Sequence, residues 1–327
     1  MKKEDLRIVF MGTPEFAVET LKALVENDYN VVAVVTQPDK PVGRHGSVLQ
    51  PSAVKQYALE KELPILQPEK MKDPTFVEQL RSYDANLQIV VAFRMLPEVV
   101  WAMPAYGTFN VHAALLPQYR GAAPINWAVI NGETETGVTT FFLDHDIDTG
   151  RIIMQKPFAI PDDADVEYVY DGLMHLGAQI CLETLKAILA ADGHPKSVSQ
   201  SDYQLPIDNA TLHHAPKIFK ETCEISWQLP AKRIYDFVRG LSPYPGAWTT
   251  LISTDGRETV LKVYKATKTG QKTTEEPGNI AIEKRQLRIA TVDEWLQIDE
   301  LQLAGKKRMD AASFVNGIKD IENYFVR

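Results

Sequence analysis

Asn110 and His112 stand two residues apart at the end of the run Gly107-Thr108-Phe109-Asn110-Val111-His112. Residues two apart on a strand project to the same face, so an amide and an imidazole stand side by side there. Two such donors suit the oxygen of a carbonyl under nucleophilic attack, which gains negative charge as the new bond forms. The plainer alternative is a pair of hydrogen-bonded polar residues closing a strand. Farther along, Asp144-His145-Asp146-Ile147-Asp148-Thr149-Gly150 sets three carboxylates and an imidazole in one short loop. The alternate acids resemble the start of a calcium loop. Its sixth and twelfth positions, however, hold Thr149 and Gln155 in place of glycine and glutamate, so no metal is expected. A carboxylate beside an imidazole is suited instead to moving a proton off an amine. Gly12-Thr13-Pro14-Glu15-Phe16 occupies the strand-to-helix turn that cradles phosphates in a dinucleotide site, yet one glycine stands where three are needed.

The elements that must hold these residues are legible as periodicity. Short apolar runs at 6–11, 31–36, 87–93 and 137–143 alternate with helical spacing, as in Val18, Leu21, Leu24 and Val25. This alternation predicts an α/β, Rossmann-like domain with a mostly parallel sheet. Val166, Val169, Leu173, Leu176, Ile180, Leu185 and Ile188 predict a long amphipathic helix that closes it. From 191 to 216 the chain turns polar, with Gly193, Pro195, Pro206 and serines at 197, 199 and 201, which reads as a linker. Beyond it, Ile234, Phe237, Val238 and Leu241 mark a short helix, and runs at 248–253, 260–266, 279–282 and 287–291 predict a small OB-like β-barrel. The expected division is therefore a catalytic domain over 1–190, a linker over 191–208 and a barrel domain over 209–327.

Composition narrows the class of protein. The 327 residues carry 35 Lys and Arg against 43 Asp and Glu, net −8, with 45% hydrophobic and 24% charged residues, so a packed core is available and general disorder is excluded. Only Cys181 and Cys223 occur, which points to a reducing, cytoplasmic setting. The first residues, with Glu4, Asp5 and Arg7, make no signal-peptide core, and no stretch approaches roughly 18 uncharged apolar residues, so no membrane contact is expected. Up to Asp208 there are 17 basic and 28 acidic residues, net −11; beyond it there are 18 and 15, net +3. A mildly basic second domain can offer phosphates a face, and Lys306-Lys307-Arg308 is its basic run. Tyr244 and Trp248 read as core or turn packing residues, not as base-stacking platforms.

Taken together, Asn110-Val111-His112, the run Leu115-Leu116-Pro117 with Gly121 and Ala122-Ala123-Pro124-Ile125 behind it, and Asp148-Thr149-Gly150 resemble the 10-formyltetrahydrofolate-dependent formyltransferase family. Residues 11–17, 36–44 and 239–248 resemble the branch of that family that acts on methionyl initiator tRNA. The single-domain branch that formylates glycinamide ribonucleotide lacks a second domain of this kind. The resemblance implies Asn110, His112 and Asp148 as the catalytic group, with Asn110 and His112 donating to the formyl oxygen and Asp148 orienting the imidazole and relaying the amine proton. It implies a folate site along Phe93, Arg94, Met95 and Leu96 and along Ala114, Leu115, Leu116 and Pro117. It also implies that Lys40 and Arg44 reach the acceptor end of tRNA. The co-substrate implied is 10-formyltetrahydrofolate, without a metal, and the protein is expected to act as a monomer. Two departures stand out: Ala114 replaces the usual serine, and Asp146 replaces a common glycine.

Two rival readings share these residues. One is a folate-dependent formyltransferase whose acceptor is a sugar-nucleotide amine, which only the acceptor distinguishes. The other is a non-catalytic folate- or RNA-binding module, which any formyl turnover would exclude.

Overall fold

The structure is a computed structural model that describes residues 1–42, 48–202, 211–318 and 320–327. Its early elements are β1 (Ile8–Gly12), α1 (Glu15–Glu26), β2 (Val31–Val35), β3 (Lys40–Val42), β4 (Val48–Gln50), α2 (Ala53–Glu60), β5 (Ile65–Leu66), α3 (Pro74–Ser82), β6 (Leu87–Val91) and α4 (Glu98–Trp101). They are followed by β7 (Thr108–His112), β8 (Arg120–Gly121), α5 (Pro124–Ile130), β9 (Glu135–Phe142), β10 (Ile152–Ala159) and α6 (Val166–Ala190). The later elements are β11 (His214–Ala215), α7 (Ala231–Gly240), β12 (Ala247–Ile252), β13 (Glu258–Lys272), β14 (Ile280–Glu283), β15 (Gln286–Ala290), β16 (Glu294–Leu303), β17 (Met309–Asp310), α8 (Ala311–Gly317) and β18 (Phe325–Val326).

The chain forms two compact units that are discontinuous in sequence. The first comprises Met1–Gly121, Thr136–Ala159 and Tyr170–His214; the second comprises Ala122–Glu135, Ile160–Val169 and Ala215–Arg327.

In the first unit a seven-stranded sheet runs β10-β9-β7-β6-β1-β2-β5. The pairs β2–β5, β1–β2, β1–β6 and β6–β7 are parallel, and β9 joins β7 antiparallel. β1 and β6 are buried at every position, as expected for central parallel strands covered on both faces. The strand order reverses between β1 and β6, and ligands in open α/β sheets bind beyond the carboxyl ends of the strands at such a reversal. Gly12 ends β1 there. A Cβ on it would meet the Cβ of Ala17 at 2.6 Å, so this glycine serves close strand-to-helix packing. Pro14 is the N-cap of α1, one residue before the first helical turn. The 25 residues of α6 are long and apolar enough to cross a membrane by length and composition, but Leu173, Ile180, Cys181, Leu185 and Ile188 are fully buried, as in a core helix.

The second unit is built on a sheet of order β14-β15-β16-β13-β12-β18, with β17 paired to β16. Its named neighbours are antiparallel. The two ends of this order meet: Asn279 bridges Phe325, and Val326 N–H donates to the Gly278 carbonyl at 2.9 Å, which closes the sheet into the OB-like barrel. Two segments from the first half of the chain pack in this unit. Ile130 of α5 joins its core, and Asn126 Nδ2 donates to the Gly240 carbonyl at 2.9 Å. Buried Asp236 holds both Lys232 and Arg239, and Arg239 in turn donates to the Ala164 carbonyl at 2.8 Å. Trp248 packs against the barrel core as expected. Tyr244 does not, since it is 82% exposed.

Candidate active site

β7 places Asn110 and His112 on one side of the sheet, with Asn110 opposite Phe141 and His112 opposite Thr139 on β9. His112 is buried, and its Nε2 lies 3.0 Å from the Tyr119 carbonyl oxygen. A carbonyl only accepts, so Nε2 carries the hydrogen and Nδ1 is left as the working nitrogen. Nδ1 lies 3.9 Å from Oδ2 of Asp148. Nε2–H is thereby engaged within the protein, and in the neutral ring Nδ1 is an acceptor that faces Asp148. Asn110 contributes something different: its Oδ1 is buried without a hydrogen-bond partner among the described residues. Buried amide oxygens are ordinarily paired, so an unpaired one at the carboxyl end of a parallel strand marks a place for a ligand donor.

Of the three acids in the 144–150 loop, only Asp148 turns inward. Asp144 and Asp146 are exposed, and Asp144 braces the loop by accepting from Thr149 Oγ1 at 2.7 Å. Asp148 adopts φ +56°, the left-handed region that Asp and Asn tolerate better than other side chains, and its Oδ2 accepts from the Gly121 amide at 2.9 Å. The loop closes at Gly150, where any Cβ would lie 1.6 Å from the Phe142 carbonyl oxygen. The imidazole beside Asp148 is thus His112 and not its sequence neighbour His145, which is exposed and stacks edge-on to Trp101 at 5.4 Å.

The run from Ala114 to Pro117 is pinned from below. Thr139 Oγ1 donates to the Ala114 carbonyl at 2.6 Å, the Leu116 amide donates to Thr139 Oγ1 at 3.1 Å, and Gln155 Nε2 donates to the Leu116 carbonyl at 2.7 Å. Ala114, Leu116 and Pro117 are buried, and Leu115 is half-buried. The residue that replaces the usual serine therefore sits in the core. The Phe93–Leu96 turn follows β6. Leu96 is buried and Met95 is 72% exposed, while Arg94 donates to the carbonyls of Glu69 and Pro68 and keeps a buried Nε without a partner among the described residues. Burial also pulls the Arg94 guanidinium below its usual pKa.

The basic residues are placed unevenly. Lys40 is exposed on the β3–β4 hairpin, whose Val48 and Leu49 are also exposed, whereas Arg44 lies outside the described residues. Lys306 and Lys307 are exposed, but Arg308 is paired to Glu300 and lies over the Tyr264 ring at 4.4 Å. Two contributors to the site escaped the sequence reading. One is the backbone carbonyl of Tyr119. The other is Gln200, buried and bonded to Arg120 and to the carbonyls of Asp148 and Gly150. Among the described residues no group of three or more His, Cys, Asp or Glu is arranged to hold a metal ion.

The polar cluster thus lies at the carboxyl end of β7, one strand beyond the β1–β6 reversal of an α/β sheet, and the second unit is an antiparallel barrel. Residues 6–185 match the formyl transferase family and residues 217–319 match the formyl transferase C-terminal domain, and the chain belongs to this family. It is 61% identical over 327 residues to Methionyl-tRNA formyltransferase of Parabacteroides distasonis, covering 100% of both chains. It is 57% identical over 318 residues to Methionyl-tRNA formyltransferase of Bacteroides fragilis, covering 97% of this chain and 96% of that one. The fold also resembles WlaRD, a sugar 3N-formyl transferase, with TM-score 0.63, 17% identity and coverage of 92% and 99%. HypX from Aquifex aeolicus in complex with tetrahydrofolic acid aligns with TM-score 0.60 and 19% identity over 95% of this chain and 47% of that one.

Proposed function

We propose that this protein transfers the formyl group of 10-formyltetrahydrofolate to the α-amine of methionine carried by initiator tRNA, a step of translation initiation. The observation that carries formyl transfer is the cluster of Asn110, whose Oδ1 has no partner among the described residues, His112 and Asp148. The acceptor is supported by the full-length likeness to Methionyl-tRNA formyltransferase of Parabacteroides distasonis.

In this reading the amine nitrogen attacks the formyl carbon and negative charge grows on the formyl oxygen. Asn110 donates its amide N–H to that oxygen, and His112 donates through Nδ1 when that nitrogen carries a proton. An α-amine has a pKa of roughly 7.7 to 8, so it must shed a proton to attack and another as the product amide forms. Asp148 stands beside the imidazole, one carboxylate oxygen held by Gly121, and takes that proton. The bond from the formyl carbon to the folate nitrogen then breaks, and the proton passes to that nitrogen. Folate lies along Phe93 to Leu96 and Ala114 to Pro117. The Arg94 Nε and the pinned backbone of the second segment supply its polar contacts. For tRNA, Lys40 on β3 and Arg44, which lies outside the described residues, meet the acceptor end, and Lys306 and Lys307 meet phosphates. Arg308, already paired to Glu300, contributes less. The protein acts as a cytoplasmic monomer and needs no metal.

The test offers formyl-labelled 10-formyltetrahydrofolate with methionyl initiator tRNA, methionyl elongator tRNA and an amino-sugar nucleotide in parallel. Label on the initiator tRNA is expected. Label on the sugar amine alone would replace this reading with its rival.

A further inference from the structure

We propose that Gln200, from the polar segment that follows α6, is a positioning residue that fixes the carboxylate of Asp148 against His112; this rests on the formyl-transfer reading above. The side chain is 5% exposed and uses its full hydrogen-bonding capacity. Its Nε2 donates one hydrogen to the Asp148 carbonyl and one to the Gly150 carbonyl, both at 2.8 Å. Its Oε1 accepts from Nε of Arg120 at 3.0 Å and from Nη2 at 2.5 Å. The amide can sit only this way round, because a flipped amide would set its oxygen against two carbonyls and its NH2 against a guanidinium.

These four bonds join the two segments that define the carboxylate. Arg120 immediately precedes Gly121, whose amide holds Asp148 Oδ2, and the two carbonyls belong to Asp148 itself and to the glycine that closes the loop. Asp148 has a left-handed backbone, φ +56°, which Asp tolerates better than most side chains but which still persists only where surroundings fix it. The segment carrying Gln200 is itself tied down. Val198 and Ile152 exchange two backbone bonds at 2.8 Å, and Arg151 Nε donates to Ser197 Oγ at 3.0 Å. Residues 197–200 therefore act as a strap over the acidic loop, not as a passive tether.

The experiment compares Gln200→Met and Gln200→Glu with the wild-type full chain. Gln200→Met removes all four bonds, whereas Gln200→Glu keeps an acceptor for Arg120 but loses both donors. Both variants should lose about 10- to 100-fold in kcat, the scale of a displacement of about 1 Å at a reacting group, with KM for each substrate changed less than twofold. Amide exchange of the peptide containing Gly121 should quicken in both, because that amide depends on where the carboxylate sits. Unchanged exchange with unchanged kcat overturns the proposal. Faster exchange with wild-type kcat also overturns it, since the strap would then hold nothing the reaction needs. A wild-type protein that transfers no formyl group at all would sink the functional reading instead, and the exchange arm still reports whether Gln200 sets the loop.

Discussion

Nδ1 of His112 lies 3.9 Å from Oδ2 of Asp148, and both side chains are almost closed to solvent. The separation is too long for a hydrogen bond, yet it sets the carboxylate directly against the imidazole in a site almost closed to water. Replacing His112 by Ala should therefore cost both reaction and fold. Turnover should fall at least 100-fold. Losing the Nε2–H bond to Tyr119 and the packing of the ring against Phe141 should also lower unfolding stability by about 1 to 3 kcal/mol. Denaturant titration beside steady-state kinetics checks this, and a variant with wild-type stability would mean that the ring is not seated as described.

The acidic loop gives a ranking. Asp148→Asn keeps the left-handed backbone within reach of an amide side chain but removes the proton acceptor, so kcat should collapse while tRNA affinity holds. Asp144→Asn touches only an exposed brace to Thr149 and should matter far less. A reversed order in the two kcat values would assign the working carboxylate to the wrong position.

How much of this was legible from residue types follows the physics of each element. The central strands were visible because covered parallel strands are apolar throughout, as β1 and β6 are. β16 was not, because Glu294, Gln297, Asp299 and Glu300 alternate with its buried Leu296, Ile298 and Leu301 and dilute the apolar signal. Asn110 and Asp148 could be picked out by side-chain chemistry. The Tyr119 carbonyl is backbone and leaves no mark in residue types. Gln200 sits in a Ser-rich stretch that reads as linker, and its partners Gly150, Asp148 and Arg120 are 50, 52 and 80 residues away.

Charge placement sets the salt dependence of tRNA binding. Exposed Lys306 and Lys307 are free to meet phosphates, whereas Arg308 is held by Glu300. Changing both lysines to Ala should flatten the slope of log affinity against log salt by up to about 1.5. Arg44→Ala should mainly lower turnover by misplacing the acceptor end. Titrations at several salt concentrations separate these, and an unchanged slope in the double variant would move the phosphate contacts off that turn.

Burial pushes the Cys181 thiol far above its ordinary value near 8.5. The native thiol therefore stays protonated while the unfolded one ionises, so the native state binds more protons and stability falls as pH rises past about 8.5. The slope from this one group is about 1.36 kcal/mol per pH unit at full effect. Cys181→Ala should remove that part of the alkaline loss, and native protein should resist thiol labelling at this position. Rapid labelling of Cys181 in folded protein would contradict its placement in the core.

The most direct test is single-turnover transfer of labelled formyl from 10-formyltetrahydrofolate to methionyl initiator tRNA, at saturating substrates, by wild type and by Asn110→Ala. Asn110 Oδ1 makes no bond within the protein among the described residues, so the variant should fold with wild-type stability. The expected result is label on the methionine α-amine with wild type and a rate roughly 100- to 1000-fold lower, about 2.7 to 4 kcal/mol, with the variant. Equal rates for the two proteins, or no labelled amine with wild type, would contradict a formyl transferase built around Asn110.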